Sequence, residues 1–113
     1  MLKIEFIGHV GSDATLKQLE NASVINFSVA VNETFKDKTG TKQTKTKWIE
    51  CEIWNRPKLH PYLKSGILLF VTGNPEVRAY VAKDGGEAKA VQVCKVDEIN
   101  FLSKKEGDEE PTE

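Results

Sequence analysis

A chain of 113 residues with 39% hydrophobic and 29% charged side chains has room for one globular domain with a single core. Its longest obvious apolar run, Ile67 to Val71, is far short of the roughly 18 residues a membrane span needs. Charges at every other position of Met1-Leu2-Lys3-Ile4-Glu5-Phe6 exclude a secretory leader there, so a cytoplasmic location is expected. The net charge of −1 conceals an asymmetry: five of the 17 acids lie in Glu106–Glu113, which leaves 16 bases against 12 acids in Met1–Lys105. A body of +4 carries a tail of −5, the distribution of a basic binding domain with an acidic appendage.

In chain order, Lys3 to Ile7 opens a first strand that Gly8 and Gly11 break or bend. From Phe27 on, apolar odd positions alternate with Ser28, Ala30 and Asn32 in a long second strand that ends at Phe35. A turn-rich segment, Lys36-Asp37-Lys38-Thr39-Gly40-Thr41-Lys42, then joins two hairpin strands. The third strand carries Lys47-Trp48-Ile49-Glu50-Cys51-Glu52-Ile53-Trp54, which alternates strictly. Ile49, Cys51 and Ile53 form its core face, and the two glutamates force the other face, with both tryptophans, toward water or a partner. Arg56 to Ser65 is expected to hold a turn or two of helix, with Pro57 at its start, Pro61 limiting it and Gly66 stopping it. A buried strand begins at Ile67, is interrupted at Gly73-Asn74-Pro75 and resumes through Val77, Ala79 and Val81. Asp84-Gly85-Gly86 is a hairpin tip, and the last strand runs from about Lys89 to Phe101.

Five strands and one short helix place the chain among the small barrels, and the position of the helix between the third and fourth strands puts an all-β OB-fold, a five-stranded Greek-key barrel, ahead of the others. It is expected to span residues 1–103, with 104–113 as a short acidic, disordered tail. Cys51 and Cys94 read as small core hydrophobes rather than a disulfide. His9, His60 and the cysteines lack metal-ligand spacing, so no metal and no cofactor is expected. There is no phosphate loop and no nucleophile elbow, Gly8-His9-Val10-Gly11 is too short to carry meaning alone, and Glu50 and Glu52 read as solvated strand carboxylates. The expectation is therefore a non-enzyme.

The positive signal is aromatic residues interleaved with cations. Trp48 and Trp54 share one strand face about 20 Å apart. Phe35 opens onto Lys36 and Lys38, and Tyr80 stands between Arg78 and Lys83. With five lysines against one aspartate, Lys36 to Lys47 supplies a phosphate track through Lys36, Lys38, Lys42, Lys45 and Lys47. Phe6, Phe27, Phe70 and Phe101 go to the core or to subunit contacts. A flat π surface among lysines suits an unpaired nucleic-acid strand; the rival readings are a protein-interaction module and an RNA-binding or replication-restart barrel.

Several segments resemble the bacterial-type single-stranded DNA-binding proteins: Lys3–Asp13, Phe27–Asp37, Thr46-Lys47-Trp48 with Trp54, Tyr62–Gly66 and Val71-Thr72-Gly73, an ordered set over about residues 3 to 102. The resemblance implies an OB-fold, a homotetramer, and binding of single-stranded DNA without marked sequence preference in replication, recombination and repair. It implies base stacking on Phe35, Trp48, Trp54 and Tyr80, and cations at Lys3, Lys17, Lys36, Lys38, Arg56 and Arg78, to which Lys42, Lys45, Lys47 and Lys83 are added as candidate phosphate contacts. Two departures accompany it. Glu76 stands where the family is often basic, and the chain closes on Glu110-Pro111-Thr112-Glu113 rather than on Pro-Phe, so no recruitment of partner proteins through the tail is implied.

Overall fold

The computed structural model describes residues 1–81, 83 and 85–103; the expected tail, 104–113, and Asp84 of the expected hairpin tip lie outside the described residues. Six strands, β1 (Ile4–Val10), β2 (Thr15–Gln18), β3 (Ser23–Lys36), β4 (Lys42–Trp54), β5 (Leu68–Val81) and β6 (Ala88–Phe101), form one sheet. A ring closes through β1, β5, β6, β4 and β3, because β1 pairs antiparallel with β5 along most of its length and with β3 at His9 and Val10. The β4–β6 pairing, Ile49↔Gln92 to Glu52↔Lys95, is parallel and completes the five-stranded barrel.

The sixth strand arises at the expected break. The chain turns after Gly11, and β2 resumes along the same edge of β3 that β1 pairs with, opposite Ser23 to Asn26. Gly8 sits where β1 is handed from β5 to β3. A Cβ there would run into the Ala30 carbonyl, so the barrel closes at that point only around a residue without a side chain.

The core is the inward half of each alternating strand: Phe6 and Val10, Ile25, Phe27 and Val29, Ile49, Cys51 and Ile53, Leu69 and Val71, Cys94, Val96 and Ile99. The 3₁₀ helix Pro57–Tyr62, with Pro57 in its first turn, lies between the third and fourth strands of the ring, and Leu59 and Leu63 plug the barrel end. Of the aromatics expected inside, Phe6 and Phe27 are buried, whereas Phe70 and Phe101 are half-buried, Phe101 edge-to-face with Tyr62 at 6.3 Å.

The expected interruption at Gly73-Asn74-Pro75 does not occur. β5 continues to Val81 with a register shift between Thr72 and Gly73. β1 is exhausted at the Ile4↔Gly73 pair, so Pro75 lies where β5 has no neighbour on its other side, a position that tolerates a residue with no N–H to donate. Beyond it Val77, Ala79 and Val81 do not return to the core but are exposed on a two-stranded arm of β5 and β6. A second arm, the outer halves of β3 and β4 beyond Val31, projects likewise with exposed side chains on both faces.

Candidate nucleic-acid interface

Strand alternation on β4 places Trp48, Glu50, Glu52 and Trp54 on the outside of the barrel while Ile49, Cys51 and Ile53 are buried. Trp48 is 56% exposed and Trp54 41%. Each indole has a local support. Trp48 lies over Gly11, where a Cβ would come within 2.5 Å of Cζ3 and 2.9 Å of Cη2, so the bare glycine backbone is the shelf on which the ring rests. Trp54 ends β4 directly before Asn55, which adopts a left-handed φ of 60° that an asparagine tolerates. The Asn55 N–H donates to the Ser23 carbonyl at 2.8 Å, and Asn55 Oδ1 accepts from the Ser23 N–H at 3.1 Å, pinning the strand end to the start of β3.

The other two aromatics divide. In β5 and β6 the row Glu50, Val93, Glu76 runs across the outer face, so Arg78 and Tyr80 lie on the tryptophan side of the sheet, with Tyr80 opposite Lys89. Tyr80 is 49% exposed. Phe35, also 49% exposed, pairs with Gln43 and by alternation shares its face with Val29 and Val31, opposite Trp48. Three aromatics therefore belong to one face, and the fourth to the reverse of the β3–β4 arm.

The cations divide too. Arg78 reaches diagonally over Val93 to Glu52, donating from both terminal nitrogens at 2.9 and 3.2 Å, and Nε donates to Glu76 at 3.3 Å. Glu76 also meets Lys95 Nζ at 3.6 Å. Glu52, then Glu76, hold the guanidinium charge, and in return Arg78, then Lys95, keep the Glu76 carboxyl below its ordinary range. Glu52 is thus not a solvated carboxylate: its side chain is 12% exposed beneath this fork. Val93, beneath the same lid, is fully buried although it points outward.

Arg56 directs Nη2 to the Val96 and Asp97 carbonyls at 3.1 Å. Lys3 pairs with Glu5 at 3.4 Å and Lys47 with Glu33 at 3.2 Å. Lys17, Lys36, Lys38, Lys42, Lys45 and Lys83 are exposed and make no ion pair with a described residue. Lys36 and Lys42 face each other across the last pair of the β3–β4 arm. The loop between them is tied by Asp37, whose Oδ1 accepts from the Thr39 and Thr41 N–H groups at 2.9 Å each and from Thr39 Oγ1 at 2.7 Å. Those bonds, Thr39 first, lower the Asp37 pKa from 3.8.

Between the tryptophans a groove of about 320 Å³ is floored by Asn26, Ser28, Glu50 and Glu52, walled by Ser12, Asp13 and Thr15, and bounded by Arg78. Gly11, Asn55 and the Arg78–Glu52 fork were not legible as site residues. Their only trace in the sequence is a Gly-x-x-Gly, an asparagine after a strand-ending tryptophan, and a glutamate on a wet face. Both cysteines are free and buried. Burial pushes the Cys94 thiol up to about 11 and Cys51 further still, so neither is a nucleophile near neutral pH.

Residues 1–102 match the model of the single-strand binding protein family. The chain belongs to that family. Family members are binding proteins, not enzymes, which agrees with the expectation from the motifs. The chain is 33% identical to a single-stranded DNA-binding protein of Neisseria meningitidis over 80% of its own length and 54% of that protein. It is 32% identical to the one from Oceanobacillus iheyensis over 91% of its length and 64% of that relative. It therefore spans between half and two thirds of these relatives. Among solved structures, a Plasmodium falciparum SSB in complex with ssDNA superposes with a TM-score of 0.77 at 27% identity, covering 91% of this chain and 96% of that one. A small single-stranded DNA-binding protein from Streptomyces coelicolor shares the fold at a TM-score of 0.73, 18% identity and 88% coverage of this chain. The OB-fold expectation holds.

Proposed function

We propose that this chain binds single-stranded DNA stoichiometrically, coating and shielding it during replication, recombination and repair. The observation that carries the reading is the pair of half-exposed indoles on the outer face of β4, in a chain of the single-strand binding protein family. A large apolar ring left in water on a rigid strand, rather than on a mobile loop, is a preformed stacking platform. Trp48, Trp54 and Tyr80 are the platforms of one face, and Phe35 takes a base where the strand passes around the β3–β4 arm. Lys17, Lys36, Lys38, Lys42, Lys45 and Lys83 meet phosphates directly. Lys3, Lys47, Arg56 and Arg78 do so only by exchanging or sharing the partners they already hold.

The protein assembles with copies of itself, as a homotetramer. Supporting this, β1 is paired along Ile4–Ile7 on one side only, and Leu2, Ile7 and Leu102 are exposed. A titration of tryptophan emission with poly(dT) at several salt concentrations tests the binding, with mass in solution measured alongside. Strong quenching that persists at high salt is expected; unchanged emission at saturating poly(dT) rejects the stacking role, and RNA competing as well as DNA of equal length would favour an RNA-binding barrel.

A further inference from the structure

The floor of the groove between the tryptophans has the wrong charge for a phosphate. Asp13, Glu50 and Glu52 line it against a single cation, Arg78, whose fork is already engaged with Glu52 and Glu76. Asn26 and Ser28 supply further neutral polar groups, and the unpaired lysines of the β3–β4 arm lie in β3, in β4 and in the loop between them, not on this floor. A strand laid across this face is therefore oriented by electrostatics, phosphates outward and base edges inward.

Glu50 occupies the central position, two residues after Trp48 and four before Trp54, opposite Ser28. It is exposed, and its side chain makes no ion pair or hydrogen bond with a described residue. A carboxylate only accepts hydrogen bonds. Cytosine presents its N4 amino group as a donor on the edge where thymine presents the O4 acceptor. The two pyrimidines share one ring and, apart from the thymine C5 methyl, differ along the Watson–Crick edge, where the direction of hydrogen bonding is reversed at position 4 and at N3.

We propose that Glu50 makes the site selective for bases with an exocyclic amino group, cytosine over thymine in the pyrimidine series. This deepens the single-stranded DNA reading and rests on it. A base stacked on either indole directs its Watson–Crick edge toward the groove floor. There the cytosine amino group donates to Glu50, whereas thymine offers only its N3–H, flanked by two carbonyl oxygens that repel the carboxylate.

The test is the ratio of dissociation constants for labelled oligo(dC) and oligo(dT) of equal length, measured at pH 8 by fluorescence anisotropy on the full chain and on Glu50→Gln. The wild type is expected to bind oligo(dC) roughly three- to tenfold more tightly, as one solvent-exposed charge-assisted contact would give. In Glu50→Gln the ratio is expected to fall to about one, because an amide both donates to O4 and accepts from N4. Equal or tighter oligo(dT) binding by the wild type overturns the proposal, as does a cytosine preference that survives Glu50→Gln. Neither oligonucleotide binding at low salt would instead reject the DNA reading itself, so the two failures are distinguishable.

Discussion

Trp48 is exposed because β4 alternates, but its ring is held where it is because Gly11 has no side chain. Gly11→Ala would drive a methyl group into the indole and tilt it off its shelf. The expected outcome is weaker oligonucleotide binding and reduced emission quenching with an almost unchanged melting temperature, measured by parallel titration and thermal unfolding. Replacing Trp48 or Trp54 by alanine should cost about 1 to 3 kcal/mol of binding at both low and high salt. Lys45→Ala, by contrast, should cost affinity mainly at low salt, since its contribution is counterion release. Equal salt dependence of the two losses would show that the indoles do not stack on bases. The tryptophans could be read from the sequence because the glutamates between them ruled out a buried face. Gly11 could not, since its partner lies 37 positions away and only the β1–β3 closure brings the two together.

Within the strands, alternation predicts the inward residues of β4 and of β3 from Phe27 on correctly, because there both strands keep a two-residue period against one core, whereas at the start of β3 Ser23, Val24 and Ile25 are all buried. It fails at β5. A valine pattern beyond Pro75 looks the same whether it packs on a core or stands on an arm, and only the length of β1 decides which. The face that Phe35 takes was not legible for a related reason, as proximity to lysines carries no information about which side of the strand an aromatic occupies. The β3–β4 arm has its own pH response. The Asp37 carboxyl is held below its ordinary 3.8, so the ordering it confers is present above about that pH and is lost as the pH falls through the lower value of the folded loop. Between pH 5 and 8 the Thr39 and Thr41 amides should therefore show constant protection from exchange once intrinsic rates are allowed for. Asp37→Ala should remove that protection at neutral pH without altering global stability, an outcome readable by amide hydrogen exchange.

Across the whole molecule, residues 1–105 carry a net +4 and residues 106–113 a net −5, so on the proposed reading the body attracts nucleic acid and the C-terminal acids oppose it. Contacts to about five phosphates per protomer correspond to a slope of log affinity against log salt near about −3.5. Removing residues 106–113 should strengthen binding at low salt and leave it unchanged at high salt, where screening already silences long-range repulsion. Loss of affinity on truncation would instead assign those residues a contact of their own. The barrel was legible from the placement of one helix among five strands and from an ordered set of family-like segments. The Arg78–Glu52 fork was not, because it joins β5 to β4 across β6, and neither residue carries a local sign of its partner.

The parallel seam between β4 and β6 sets Cys51 directly beside Cys94 on the inward side of the ring. A seam with a silent sulfhydryl on each side is a built-in clock. A water-soluble disulfide reagent at pH 8 will meet these groups only when the ring parts. The time course of its coloured leaving group then measures how often the native barrel breathes open, and bound oligonucleotide should slow it in proportion to the fraction of protein occupied.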